Sequence, residues 1–237
     1  MGATLRTARV AALDALPGLV HGFEQRLGPA GWEGREAARR RVATALADDG
    51  RLHFLHQVHG TAVRRAPWDG APDGDVGLST TPGELVEVET ADCLPILLVD
   101  PESRSVAAVH AGWRGTAAGA ARTGVAALVA AGARATSLIA ALGPGIGVCC
   151  YEVGPEVREA FGPGADAFFR PGPRGREHLD VRAANEAQLL EAGLAKERLH
   201  HVADCTFCRA DLYHSFRREG RGAGRMINFV GWSATSS

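Results

Sequence analysis

Apolar and polar positions change period several times along this chain, and the changes mark out its elements. Over residues 33–46 charged and small residues mix with apolar ones at helical spacing and predict a helix, while residues 51–58 and 85–90 read as extended. Residues 95–99 and 105–109 predict two strands, residues 116–131 an Ala-rich helix ended by Gly132, and residues 137–142 a further strand. After a Gly/Pro-rich stretch, Pro155 stands where a first helical turn accepts it, and Asp180 is placed to cap a helix running through Ala192. Residues 226–230 predict a last strand. Residues 170–176, rich in Pro and Gly, hold neither period and read as a surface loop, and residues 233–237 read as a loose end. Strands and helices thus interleave in a mixed α/β (α+β) pattern. At 237 residues, with no repeat and no low-complexity block, a single domain over residues 1–237 is expected.

Composition narrows the function class. Hydrophobic residues at 46% and charged residues at 22% are the balance of an ordinary globular chain. A formal net charge of −1 with scattered positive side chains leaves no footprint for nucleic acid or a membrane surface, so the expected partner is a small molecule. The apolar stretch at residues 10–19 follows Arg6 and Arg9, but Asp14 and Pro17 interrupt it and it is too short to cross a bilayer. Neither a signal peptide nor a membrane helix is expected. Five cysteines, an odd number in a chain large enough to do without staples, favour a reducing compartment, and a cytoplasmic location follows as an expectation.

Three side chains fall at comparable places in this pattern. His59 follows the extended run ending at Val58, Cys93 the run ending at Thr90, and His110 the strand ending at Val109. Strand ends and the loops leaving them are where reactive groups converge, because the strands supply a rigid base. Two imidazoles and a thiolate suit zinc, and a set of only three protein ligands is the catalytic kind. Copper(II) binds such donors more tightly than zinc and suits the same set. Asp92 is the acid–base group closest in sequence, although neighbouring side chains on a strand point apart and Asp92 can equally brace the turn.

The segments HQVHG (residues 56–60), ADCLPILL (91–98), HAGWRGT (110–116), GPGIGVCCYEVG (143–154), Cys205–Thr206, SFRR (215–218) and Gly224–Arg225 together resemble the YfiH family, also called laccase-domain or multicopper polyphenol oxidase proteins. The resemblance implies that His59, Cys93 and His110 are the zinc ligands and the catalytic residues, and that His56 is not a ligand. It implies a purine nucleoside phosphorylase that cleaves adenosine and inosine with phosphate, accepts S-methyl-5'-thioadenosine and also deaminates adenosine. The implied fold is a layered sandwich of mixed β-sheets flanked by helices. Nucleoside and phosphate are then the partners, and the oligomeric state is not legible. Arg26, Arg114, Tyr151 and Arg225 are the expected substrate-binding residues, with Arg217 a further candidate, since the planar arginine fork fits phosphate. Trp113 is a candidate for stacking on a base, against the plainer role of a packing anchor. The segment HGFEQRLGPAG (residues 21–31) departs from the family pattern at Gln25 and Pro29, which puts substrate contacts there in doubt.

Other features receive plainer readings. GPGIG (residues 143–147) lacks the spacing and the following Lys-Ser/Thr of a phosphate-cradling loop and reads as a tight turn. Cys205 and Cys208 form CxxC near His200, His201 and His214, a spacing open to a structural zinc or a redox pair, but they are read, like Cys149 and Cys150, as buried thiols. Nine histidines, of which only His53, His56 and His59 share HxxH spacing, do not supply the ligand clusters of a true multicopper oxidase. The rival function is a cysteine amidohydrolase in which Cys93 is the nucleophile and His110 its base, editing for example a peptidoglycan precursor.

Overall fold

The fold is that of a computed structural model, which describes residues 5–27 and 33–235. Among the described residues the strands are, in chain order, β1 (Thr7–Ala8), β2 (Leu19–Glu24), β3 (Arg51–His53), β4 (Val63–Arg65), β5 (Val76–Ser79), β6 (Glu84–Thr90), β7 (Leu94–Asp100), β8 (Ser105–Ala111), β9 (Ile139–Leu142), β10 (Glu152–Val153), β11 (Phe169–Pro171), β12 (Glu177–Leu179), β13 (Leu199–His201) and β14 (Met226–Trp232). The helices are α1 (Ala11–Asp14), α2 (Arg35–Ala45), α3 (Trp113–Ala117), α4 (Ala120–Ala130), α5 (Pro155–Phe161), α6 (Val181–Glu191) and α7 (Phe216–Glu219).

Two mixed sheets, in the orders β1-β2-β14-β6-β3 and β13-β9-β7-β8-β5-β4, stack face to face, and a small antiparallel sheet, β10-β12-β11, lies apart. The sequence explains the stacking. Along β7, Leu97 and Val99 point toward the other sheet, where they meet Val86, Val88 and Val230, while Ile96 and Leu98 point the opposite way onto Val125 and Leu128 of α4 and Leu189 of α6. A strand covered on both faces carries an unbroken apolar run instead of an alternation, and Leu94–Asp100 is buried throughout. The outer face of the five-stranded sheet, through Leu85, Ile227 and Phe229, is closed by Ala38 and Val42 of α2. The result is the layered mixed-sheet sandwich with flanking helices that the sequence predicted.

Several elements differ from expectation, each for a local reason. The helix predicted over residues 116–131 is two helices, α3 and α4, broken at Gly119, whose φ of +88° is a left-handed conformation that glycine adopts without strain. Of the extended run at residues 51–58, only Arg51–His53 pairs as a strand, parallel to β6. Beyond it the Gln57 side chain takes over, donating to the Glu89 carbonyl (2.8 Å) and accepting from the Glu89 amide (2.7 Å). The 170–176 loop contains part of β11 and a tight reversal, in which the Gly172 amide donates to the Arg176 carbonyl at 2.7 Å. The terminal segment is not loose at its start: the Ser233 amide donates to Gly18 O and the Ala234 amide to Asp49 O, both at 2.8 Å. Pro29, Ser236 and Ser237 lie outside the described residues. Among the described residues no helix is long and apolar enough to cross a membrane.

Candidate metal centre and active-site cavity

The three predicted ligands come together. One ligand atom from each of His59, Cys93 and His110 lies within 4.8 Å of the other two, and the two imidazole rings meet edge to face with centroids 4.8 Å apart. They reach this point differently from expectation in one respect. His110 lies inside β8, paired opposite Pro95 of β7, and not beyond the strand end. Cys93 stands in the turn between β6 and β7, and His59 in the loop after β3. Both loops carry left-handed backbone at non-glycine residues, with φ of +61° at His59 and +93° at Asp92. Such conformations cost on the order of 1–3 kcal/mol each and persist where the surroundings over-determine them.

Asp75 does this for His59. Its side chain is wholly buried at the head of β5. One carboxylate oxygen, Oδ1, accepts from the His59 amide (3.0 Å) and from His110 Nδ1 (2.7 Å). The other, Oδ2, accepts from the Gly60 amide (2.7 Å) and the Val58 amide (3.3 Å). A single carboxylate thereby folds the His59 loop and fixes His110 with Nδ1 engaged and Nε2 left for a ligand, the carboxylate–histidine arrangement that orients metal-binding imidazoles. Burial works to raise the Asp75 carboxyl's pKa, but the hydrogen bonds from His110 and the loop amides outweigh it and hold the pKa below the ordinary carboxylate value. Sequence reasoning missed Asp75. The only signal was an acidic residue abutting a short apolar run, with no partner visible in the chain.

Electrostatics favour the ligating thiolate at Cys93 and couple it to His110. Burial alone would push the Cys93 thiol up, yet the charge and hydrogen bond of His110, with the hydrogen bond of His59, bring it down to about 6. His110 shows the converse: burial disfavours its charge, but the Cys93 thiolate and Asp75 raise it to about 9. The donors also sit in a cradle closed to side chains. A Cβ on Gly112 would lie 2.9 Å from Cys93 Sγ and 3.1 Å from His59 Cδ2. Two nitrogens and one thiolate at this spacing, with the second imidazole nitrogen of His110 already anchored, fit zinc.

These donors line a cavity of about 470 Å³. Arg114, Tyr151 and Arg225 also line it, as expected, together with Trp113, Arg217 and Arg35. Arg26 does not. Its guanidinium bonds the Ala210 carbonyl (3.1 Å) and pairs with Glu219 (3.5 Å), on the helix that also carries Arg217. Arg225 donates to the Ala223 and Gly224 carbonyls, and Arg217 to the Glu152 carbonyl, so both are held in place from behind. Arg114 is exposed and lies over the Trp113 ring at 4.1 Å. Asp92 lines the cavity, but its oxygens are taken by the Thr206 hydroxyl (2.6 Å) and the Arg217 amide (2.7 Å). It braces the Cys93 turn, the plainer of its two readings.

The GPGIG segment is not the tight turn expected: the Gly143 amide donates to Pro95 O and the Ile146 amide to Asp92 O, both at 2.8 Å, Gly145 bridges Cys205, and the turn comes after it at residues 148–150. The buried-thiol reading of the remaining cysteines is corrected. Cys149 and Cys208 are exposed, Cys150 and Cys205 half-buried, and all four sulfurs lie within 4.8 Å of one another. Spacing along the chain could not reveal that two pairs more than fifty residues apart would meet.

Known proteins resemble the chain along most of its length. The sequence model of the family described as multi-copper polyphenol oxidoreductase laccase matches residues 33–233. A protein from Deinococcus radiodurans named purine nucleoside phosphorylase is 40% identical over 196 residues, covering 81% of this chain and 75% of its own. A protein from an unknown prokaryotic organism named adenosine deaminase RL5 is 39% identical over 152 residues, covering 62% of this chain and 58% of its own. The crystal structure of YlmD from Geobacillus stearothermophilus superposes with a TM-score of 0.84 at 28% identity, covering 96% of this chain and 98% of that one.

Proposed function

This chain belongs to the laccase-domain, YfiH-type family of multi-copper polyphenol oxidoreductases, and from that premise we propose that it is a zinc-dependent purine nucleoside phosphorylase acting on adenosine, inosine and S-methyl-5'-thioadenosine, with adenosine deamination as a second activity. The general kind, an enzyme of purine nucleosides, rests on relatives named for the two reactions. The observation that carries the specific reading is the convergence of His59, Cys93 and His110 on the wall of an arginine-rimmed cavity. A volume of about 470 Å³ lies within the range of roughly 300–1,000 Å³ that small-molecule sites occupy.

Each group in the cavity has a definable task. Tyr151 and Trp113 offer flat faces to a purine. Arg114, exposed and with no hydrogen bond or ion pair engaging its guanidinium among the described residues, is the group best placed to take phosphate, with Arg217 and Arg225 held rigidly beside the same space. In phosphorolysis a phosphate oxygen bonds to the ribose carbon as the glycosidic bond breaks, and the bonding pair leaves with the purine. Arginines that fix the phosphate against the developing sugar cation therefore lower the barrier by position and charge. His59, Cys93 and His110 would hold zinc, which supplies Lewis acidity at that wall when bound. Asp75 folds the loop that carries His59, through its backbone amide, and aims the His110 imidazole by accepting from Nδ1.

One observation favours the amidohydrolase as a second reading: without metal, Cys93, His110 and Asp75 form a hydrogen-bonded series of nucleophile, base and orienting carboxylate. Metal separates the two. Zinc-loaded protein is incubated with adenosine and phosphate beside a Cys93→Ala control and a chelated sample, and adenine, inosine and hypoxanthine are separated chromatographically. Phosphate-dependent adenine, lost in both controls, supports the phosphorylase. Inosine formed without phosphate supports the deaminase branch. No turnover of any nucleoside, with amide hydrolysis that rises on chelation, overturns the proposal in favour of the second reading.

A further inference from the structure

We propose that Cys149, Cys150, Cys205 and Cys208 form a second, structural metal site that holds one zinc ion as a tetrathiolate and ties together the two loops carrying Tyr151 and Thr206. Every cysteine of the chain other than Cys93 takes part. The sulfurs of Cys150 and Cys208 are 3.4 Å apart, those of Cys149 and Cys208 3.9 Å, and all four lie within 4.8 Å of one another. Zinc–sulfur bonds of about 2.3 Å directed at the corners of a tetrahedron place the sulfurs about 3.8 Å apart. The four thiols therefore already surround a zinc-sized space, and small rotations of the side chains would complete it.

The backbone builds this site in advance. A parallel bridge joins Gly145 to Cys205, and the Thr206 amide donates to the Gly145 carbonyl at 3.1 Å, so the two loops meet in fixed register. The Gly147 carbonyl accepts from the Cys150 amide (2.9 Å) and the Tyr151 amide (3.0 Å), which folds the first cysteine pair into a turn. On the second pair, the Arg209 amide closes the turn onto the Cys205 carbonyl at 3.0 Å. An amide also points at sulfur: Gly147 N donates to Cys205 Sγ at 3.2 Å. Such a donor stabilises a ligating thiolate. A Cβ on Gly147 would crowd the cluster, lying 3.1 Å from Cys149 Sγ and 3.2 Å from Cys205 Cβ.

A closed four-sulfur set is the structural kind of zinc site, whereas the three-donor set at Cys93 is the catalytic kind. A disulfide draws its two sulfurs to about 2.05 Å, well inside the 3.4 Å and 3.9 Å separations found here, and all four thiols are free. The site's work follows from its neighbours. Tyr151 directly follows Cys150 and lines the cavity, and Thr206 directly follows Cys205 and holds Asp92, the residue before Cys93. Zinc bound to the four thiols would fix one wall of the cavity and the brace of the Cys93 turn without touching substrate.

The test is a metal count on the full chain, loaded with zinc under reductant, freed of unbound metal and measured by mass spectrometry of the elements. The proposal expects two zinc ions per chain in the native protein, one in Cys93→Ala and one in the Cys149→Ser/Cys208→Ser double variant, which alters only exposed positions. Cobalt in Cys93→Ala should give the visible and charge-transfer bands of a sulfur-only tetrahedral site. One zinc in the native protein and none in well-folded Cys93→Ala overturns the proposal, as does a disulfide between two of the four cysteines found by peptide mapping of protein isolated without reductant. The count does not depend on any nucleoside activity, so its failure and the failure of the function proposed above are separable.

Discussion

Replacing Asp75 by Asn changes one atom and tests how the centre is organised. The carboxylate is buried and accepts four hydrogen bonds, two on each oxygen. In an amide one of those oxygens becomes a donor, so whichever way the Asn side chain turns, two donors lose their acceptor and face an NH2 group. If the NH2 replaces Oδ2, the Val58 and Gly60 amides are orphaned and the His59 loop loosens. If it replaces Oδ1, the His59 amide is orphaned and His110 is driven toward the tautomer that protonates Nε2, the nitrogen needed for a ligand. An orphaned buried donor costs about 1–3 kcal/mol. The loop amides are partly reached by water, so the low end applies, and the pair costs roughly 2–3 kcal/mol. At about 2–4 °C per kcal/mol for a chain of this size, the melting temperature should fall by roughly 4–12 °C. Zinc affinity should fall about 10- to 100-fold, the usual consequence of removing a carboxylate behind a ligating histidine. Thermal unfolding followed by circular dichroism, and zinc titration against a chromophoric chelator, measure the two effects. A variant that binds zinc within about twofold of the native protein and melts within about 2 °C of it would show that Asp75 neither folds the loop nor aims His110.

Three further outcomes follow from the same geometry. In metal-stripped protein, alkylation of Cys93, resolved by peptide mapping, should rise with pH through about 6 and then level off, because the thiolate is the reactive form and His110 stabilises it; a rate still climbing at pH 8.5 would show an ordinary thiol. Gly112→Ala should leave the fold intact, since φ −72° and ψ 171° suit alanine, while its Cβ crowds Cys93 and His59; zinc binding should weaken by the equivalent of about 1–3 kcal/mol, the usual cost of overpacking, and unchanged binding would mean the donors yield freely. Arg114→Ala should raise the KM for phosphate by roughly 10- to 150-fold, the equivalent of about 1.5–3 kcal/mol for a hydrogen bond to a charged group. Adenosine deamination, which uses no phosphate, should be unaffected by that substitution, and an equal loss in both reactions would move the phosphate site elsewhere.

The sequence by itself determined the interleaving of strands and helices, because strands buried on both faces must be written as unbroken apolar runs, as at residues 94–99, and helices closing a sheet must repeat near every third or fourth residue, while the layered sandwich was implied by the family resemblance. It also supplied the three donors, since ligand chemistry restricts residue type and the family resemblance singled out the same residues, although His110 lies within its strand and not past its end. Short strands were illegible: β10, β11 and β12 span two or three residues each, too few for any period to repeat. Only the tertiary structure decided what depends on meeting across distance. Asp75 reaches His110 over 35 positions, and the Cys149–Cys150 and Cys205–Cys208 pairs converge because Gly145 bridges Cys205. Arg26 carries a residue type suited to phosphate, yet it pairs with Glu219 and bonds the Ala210 carbonyl and is not among the residues that line the cavity. Local spacing records which face of its own element a side chain occupies, whereas its partners are chosen by the stacking of the sheets, a property of no single segment.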